Sequence, residues 1–195
     1  MKKTLPSLLL LIFFACQEPV QKQADPEPVD PPIDYYNMGK EISGIAQAEL
    51  LKNVKSALEK EGPAYAIKYC NIHAIPILDS LSNHFNCDIQ RISTKNRNLD
   101  NAPSSTEESM LLNAFIESSL DGQSIKDTLI SKEGNIVYYL PIMMGMEACL
   151  KCHGQIKEDI SDETLTAIYT LYPNDKATNY RMGDFRGAWK ISFRP

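Results

Sequence analysis

Residues 147–155 read EACLKCHGQ, two thiols three residues apart with an imidazole directly after the second. Three chemistries use such a cluster. A structural zinc site takes four ligands, usually with a second Cys/His pair elsewhere. The chain has three histidines in all, and the other two, His73 and His84, form no paired cluster. A thioredoxin-like dithiol sits at a strand-to-helix turn and gives His153 no task. Covalent haem attachment uses all three residues. Cys149 and Cys152 lie on one side of a helical turn, where their sulfurs can form thioethers with the two vinyl groups on one porphyrin edge. His153 then faces the iron as proximal ligand. The motif occurs once, which predicts one covalently bound haem c.

The residues leave the sixth iron position open. Met143, Met144 and Met146 precede the motif so closely that reaching the opposite haem face would take a sharp wrap, and they are read as core or haem-edge packing. Cys70 lies on the apolar stripe of a helix, His73 stands one turn beyond it, and solvent is the third choice. Two haem propionates in an acidic protein also call for cations, and guanidinium groups pair carboxylates bidentately. Lys95 and Arg97 in KNRNLDNAP, with Arg181 and Arg186 in YRMGDFRGAW, are the candidates, against the plainer reading of a solvated basic face.

The elements that must position these residues follow from periodicity. Ile42, Ile45, Ala46, Leu50, Val54, Ala57 and Leu58 share one face of a helix over 35–61. EGP ends it, and Pro63 fits the first turn of a second helix over 64–81, with Ile67, Cys70, Ala74 and Leu78 in a stripe and a kink or break at Pro76. DIQRIST (88–94) alternates as a strand, and 95–103 is a loop. Ser104 and Ser105, three before Glu107 and Glu108, open a helix to about 120. DTLIS, KEGN and IVYYLPIM form a hairpin turning at Gly134, and GAWKISF (187–193) is a last strand. The order of elements predicts an α+β domain.

At the N-terminus, Lys2 and Lys3 precede an apolar run too short to span a bilayer, which reads as an export signal over residues 1–15. The run ends at Ala15–Cys16 in the manner of a bacterial lipobox, making Cys16 the expected lipidation site. Residues 16–34 carry Pro19, Pro26, Pro28, Pro31 and Pro32 and almost nothing apolar, a semi-stiff tether. Residues 35–195 are left as one domain, of a size that can bury a substantial core. The expected location is the periplasmic side, lipid-anchored to a bacterial membrane. A formal charge of −5 argues against nucleic acid as a partner.

YC in a long helix, STKNRNLDNAP, YYLPIMMGMEACLKCHG and LYPNDKATNYRMGDFRGAWKIS occur here in one order. Together they resemble a bacterial family of periplasmic c-type haem domains, found alone or as sensor domains of histidine kinases and chemoreceptors. The resemblance covers about 35–193. It implies a PAS-like fold, an antiparallel sheet with two long N-terminal helices, and His/Cys iron ligation, with His153 proximal and Cys70 distal. A Cys70–Cys87 disulfide would remove that ligand, and exported thiols often pair. A thiolate ligand favours ferric iron and a low potential. The expected function is redox or gas sensing, or low-potential electron transfer, through a redox or signalling partner, with carbon monoxide or nitric oxide as ligands of ferrous haem. No output segment follows the domain, which favours electron transfer. The rival expectation is an enzyme with peroxidase-like activity at an exchangeable distal site, served by His73 or His84.

Overall fold

The computed structural model of the protein describes residues 33–194. The expected export signal, Cys16 and all but the last two tether residues lie outside the described residues.

The first element, α1 (Tyr35–Phe85), is capped by Asp34, whose side chain accepts from the Asn37 backbone N–H. It is broken at Glu61 and Gly62, which leave helical backbone angles, with Gly62 at φ 80° and ψ −172°. A side chain resists that left-handed φ, so glycine marks the bend. Residues 35–60 and 63–85 run back along one another. Ile42, Ala46 and Leu50 of the first arm share a core with Leu78 of the second, and the Tyr69 hydroxyl donates to Asn53 Oδ1 at 2.8 Å. The two expected helices are therefore the arms of a hairpin. The chain does not break at Pro76, because helical backbone geometry continues to Phe85. Proline removes the bond to the Ile72 carbonyl. That turn faces solvent, with Ile72 65% exposed, so water can serve the freed carbonyl.

Four strands, β1 (Cys87–Ile92), β2 (Thr128–Lys132), β3 (Asn135–Met143) and β4 (Phe185–Phe193), form one sheet in the order β1-β4-β3-β2. Each neighbouring pair is antiparallel. Both faces of the sheet are covered. Ile89, Tyr138, Trp189 and Ile191 pack on the α1 hairpin. Ile92, Tyr139, Phe185 and Ala188 pack on Leu112 and Phe115 of α2 (Thr106–Leu120). Burial on both sides explains why Tyr138 and Tyr139 are consecutive core residues although side chains alternate along a strand. The expected cap is present in a variant form: Ser105 Oγ accepts from the Glu108 N–H, while Glu108 Oε2 reaches one residue further back and accepts from the Ser104 N–H. The class is α+β, with a four-stranded antiparallel sheet.

Between β3 and β4 the chain forms α3 (Glu147–His153) and α4 (Asp162–Leu171). Sequence reasoning treated this stretch as an insertion and missed α4, although Ser161 caps it by accepting from Thr164 N–H. Ala167 and Ile168 of α4 pack on Ala64 and Ile67 of α1, and Cys152 of α3 packs against the same cluster. Cys70, Cys87, Cys149 and Cys152 are all free. Cys87 is fully buried between the sheet and α1, outside the cavity that holds the other three, so the Cys70–Cys87 disulfide does not form.

Candidate functional site

A cavity of about 280 Å³ opens between the α1 hairpin, the sheet and α3. Leu50, Leu51, Val54 and Leu58 line it from the first arm, and Ala66, Ile67, Cys70, Ala74, Ile75 and Leu78 from the second. Cys149, Cys152 and His153 enter from α3. One mostly apolar space thus collects the two thiols and the imidazole of the CLKCH motif and one further thiol from α1. The other sixth-position candidate, His73, is exposed and stacks on Tyr69 with ring centroids 4.3 Å apart. His84 is also exposed, edge-on to Phe85. Neither lines the cavity. Of the methionines, Met144 is buried and lines the cavity with Met143, while Met146 is exposed.

The Nδ1 of His153 lies 2.7 Å from the Ala177 carbonyl oxygen. A carbonyl only accepts, so Nδ1 carries the proton and donates it. Burial holds the ring well below the usual imidazole range, and the charges of Arg186 and Arg97 act in the same direction. The ring is therefore neutral at pH 7, with Nε2 bare and able to bind a metal. Burial likewise pushes the Cys152 thiol up to about 11, with Arg97 opposing. The Cys70 thiol is raised by burial against the pull of Arg91 and Arg97.

The loop after α4 holds α3 in place. Asn179 and Tyr180 N–H groups donate to the Gly154 and His153 carbonyls at 2.8 and 3.0 Å. Gly154 follows the motif in a position where a Cβ would overlap Asp159 and the Leu150 carbonyl, so CLKCH must be followed by glycine here. Arg97 braces the same assembly. Its Nε donates to Asp175 Oδ1 at 2.8 Å, and its Nη2 donates to the Cys152 and Ala177 carbonyls at 2.7 and 3.2 Å. The Arg97 and Asp175 side chains are 11% and 0% exposed. One guanidinium therefore fixes both the carbonyl that orients His153 and the turn that carries Cys152. Replacing Arg97 with alanine strands a buried carboxylate and is expected to cost about 3–5 kcal/mol of stability in chemical unfolding. Arg97→Lys should recover only part of it, because an ammonium lacks the planar fork. A loss under about 1 kcal/mol in Arg97→Ala would show that Arg97 does not brace this assembly.

The remaining expected cation positions separate. Lys95 Nζ donates to the Thr178 carbonyl at 2.8 Å and lies 4.0 Å from the Tyr180 ring centroid. Arg181 is exposed. Neither lines the cavity, whereas Arg97 and Arg186 do. Arg91 also lines it, and sequence reasoning passed over it. The available signal was its phase in β1, where Cys87, Ile89 and Arg91 point to one face and the first two are core residues.

The site fits the haem expected from CLKCH. No Asp or Glu lines the cavity, yet three arginines do, and buried Nε atoms of Arg91 and Arg186 have no hydrogen-bond partner among the described residues. An apolar slot with three arginines, of which only Arg97 has a carboxylate partner among the described residues, suits a flat, apolar, dianionic macrocycle. Among the described residues, no group of three or more His, Cys, Asp or Glu side chains could hold a metal ion. A porphyrin supplies four of its own donors and asks the protein only for axial ones.

No curated protein sequence matches the chain. Among solved structures, the crystal structure of the cyanobacterial haem protein Tll0287 matches with a TM-score of 0.58 and 20% identity, covering 87% of this chain and 96% of that one. At that identity the likeness is one of fold. The profile of the Tll0287-like family matches residues 9–194, and with nearly the whole sequence inside it the chain belongs to the Tll0287-like family.

Proposed function

We propose that this chain is an exported, lipid-anchored haem protein of PAS-like architecture that works in low-potential electron transfer or redox sensing. One haem c is held through Cys149 and Cys152, with His153 and Cys70 as axial ligands. The observation that carries the reading is the gathering of these four side chains in one apolar cavity whose charged lining residues are all arginines. The relative whose structure matches is described as a haem protein, which supports the cofactor. When bound, the haem supplies a one-electron couple. The chain's own residues exclude water with the leucines of α1, fix the His153 tautomer through Ala177, and offer a second ligand from α1. The PAS-like description rests on the sequence resemblance, and the lipid anchor on the run ending at Cys16.

The peroxidase-like alternative gains nothing from the geometry. It asks for an acid–base group at an open distal site, and both His73 and His84 lie outside the cavity.

The reading is tested by producing the full-length chain in a bacterial host that attaches haem. Haem staining after denaturing electrophoresis should mark the polypeptide, and the stained band should fractionate with membranes. An unstained band defeats the haem reading. A stained band in the soluble fraction defeats only the anchor.

A further inference from the structure

We propose that Arg91 and Arg186 form a receptor for a pair of carboxylates inside this cavity, filled by the two propionates of the bound haem. The proposal rests on the haem reading above and assigns the cofactor's anionic edge to one residue that no motif announced.

The cavity's cations differ in what they already hold. Arg97 already has a carboxylate partner, with its Nε on Asp175 and its Nη2 on two carbonyls. Arg186 is anchored at one end only, where Nη1 donates to Ser93 Oγ and the Lys95 carbonyl, each at 3.2 Å. Its guanidinium carbon lies 5.4 Å from the Tyr180 ring centroid, and its buried Nε has no partner. Arg91 makes no side-chain hydrogen bond to any described residue. It lies 6.0 Å from the Trp189 ring centroid, and its Nε is also buried and unpartnered.

Two aromatic faces thus hold two guanidinium groups in place with donors left over. Arginine cannot escape burial by losing its proton. Burial, aided by Arg97 and Arg91, lowers Arg186 only to about 10, still a cation at neutral pH. An unpaired buried cation is strongly unfavourable, and partnering it with an anion removes that cost. No lining residue supplies one. The anion must come with a ligand, and a planar carboxylate matches the N–H fork. Two cations call for two carboxylates, which a haem carries and a free dicarboxylate such as succinate also offers.

The test uses the full-length chain with and without attached haem, as Arg91→Met, Arg186→Met and the two lysine variants. With haem, both methionine variants should stay haem-stained. A carboxylate deprived of its cation protonates more readily, so the pH-dependent segment of the midpoint potential should move up by about 1–3 pH units. Lysine should restore part of that shift. The melting temperature should fall in the methionine variants with haem and rise in those without, because only the empty cavity holds unpaired cations. A purely structural arginine would lower both. Potential profiles that overlay on the parent in both methionine variants overturn the proposal and leave the haem reading standing. Should the parent carry no haem, the source is tested directly. Millimolar succinate that raises the melting temperature of the parent but not of Arg91→Met would keep the carboxylate receptor and replace its ligand. No effect of succinate would end the proposal together with the haem reading.

Discussion

Replacing both Cys149 and Cys152 with serine is expected to leave no haem on the polypeptide after denaturation, a loss to background rather than a reduction. The two thiols sit three residues apart on α3, both partly buried and both facing the cavity. Their separation is one helical turn, so each can hold one edge position of the same macrocycle. Single variants should each keep one covalent bond and stay stained. The double variant retains His153, the Ala177 hydrogen bond and the apolar walls, so haem can still enter without being attached. It should therefore show haem absorption in native buffer that disappears from the polypeptide on denaturing gels. Serine preserves the size of the side chain to within one atom, so collapse of the fold is not expected to confuse the result. A haem-stained band from the double variant would overturn the central reading, because no other described thiol pair faces the cavity.

What could be read from the sequence was local. CLKCH is contiguous, and its chemistry follows from three residue types at fixed spacing. EGP and Ser105 with Glu108 each mark a boundary through a backbone requirement of one or two residues, and the structure has both boundaries where those signals stand. The hidden part depends on what other elements do. Pro76 suggests a break, but the helix continues because its freed carbonyl faces solvent and the opposite side is held by the first arm. The α4 helix is short, and its apolar face gains meaning only against Ala64 and Ile67 of α1. Arg97 and Arg186 look alike in sequence. They differ because Asp175, 78 residues away, is taken by the first and not the second. Arg91 escaped notice for the same reason: a charged residue in an alternating strand reads as solvent-facing until a cavity is known to lie beneath it.

Cys70 carries the second large effect. Its helix position between Ile67 and Ala74 puts the thiol on an apolar wall of the cavity that also receives His153. Without a metal, burial favours the protonated thiol. A thiolate on ferric iron is different, since the metal's charge offsets the cost of holding an anion there. A thiolate also donates electron density and lowers the reduction potential. Cys70→Ser should therefore leave the haem covalently attached, abolish the low-spin thiolate signature in electron paramagnetic resonance, and raise the midpoint potential by on the order of 100 mV or more. The fold should survive the change, because serine fills nearly the same volume as the thiol. His73 provides the control. It lies one turn beyond Cys70 but outside the cavity, so His73→Ala should alter neither the spectrum nor the potential. An unchanged ferric spectrum in Cys70→Ser would remove Cys70 as a ligand. A changed spectrum in His73→Ala would mean that the second arm of α1 turns when the site is filled. If both variants behave as expected, carbon monoxide separates the two proposed roles. On reduction the thiolate loses part of its electrostatic partner, so a sensor would release Cys70 and bind the gas, while an electron-transfer protein would keep the bond and refuse it.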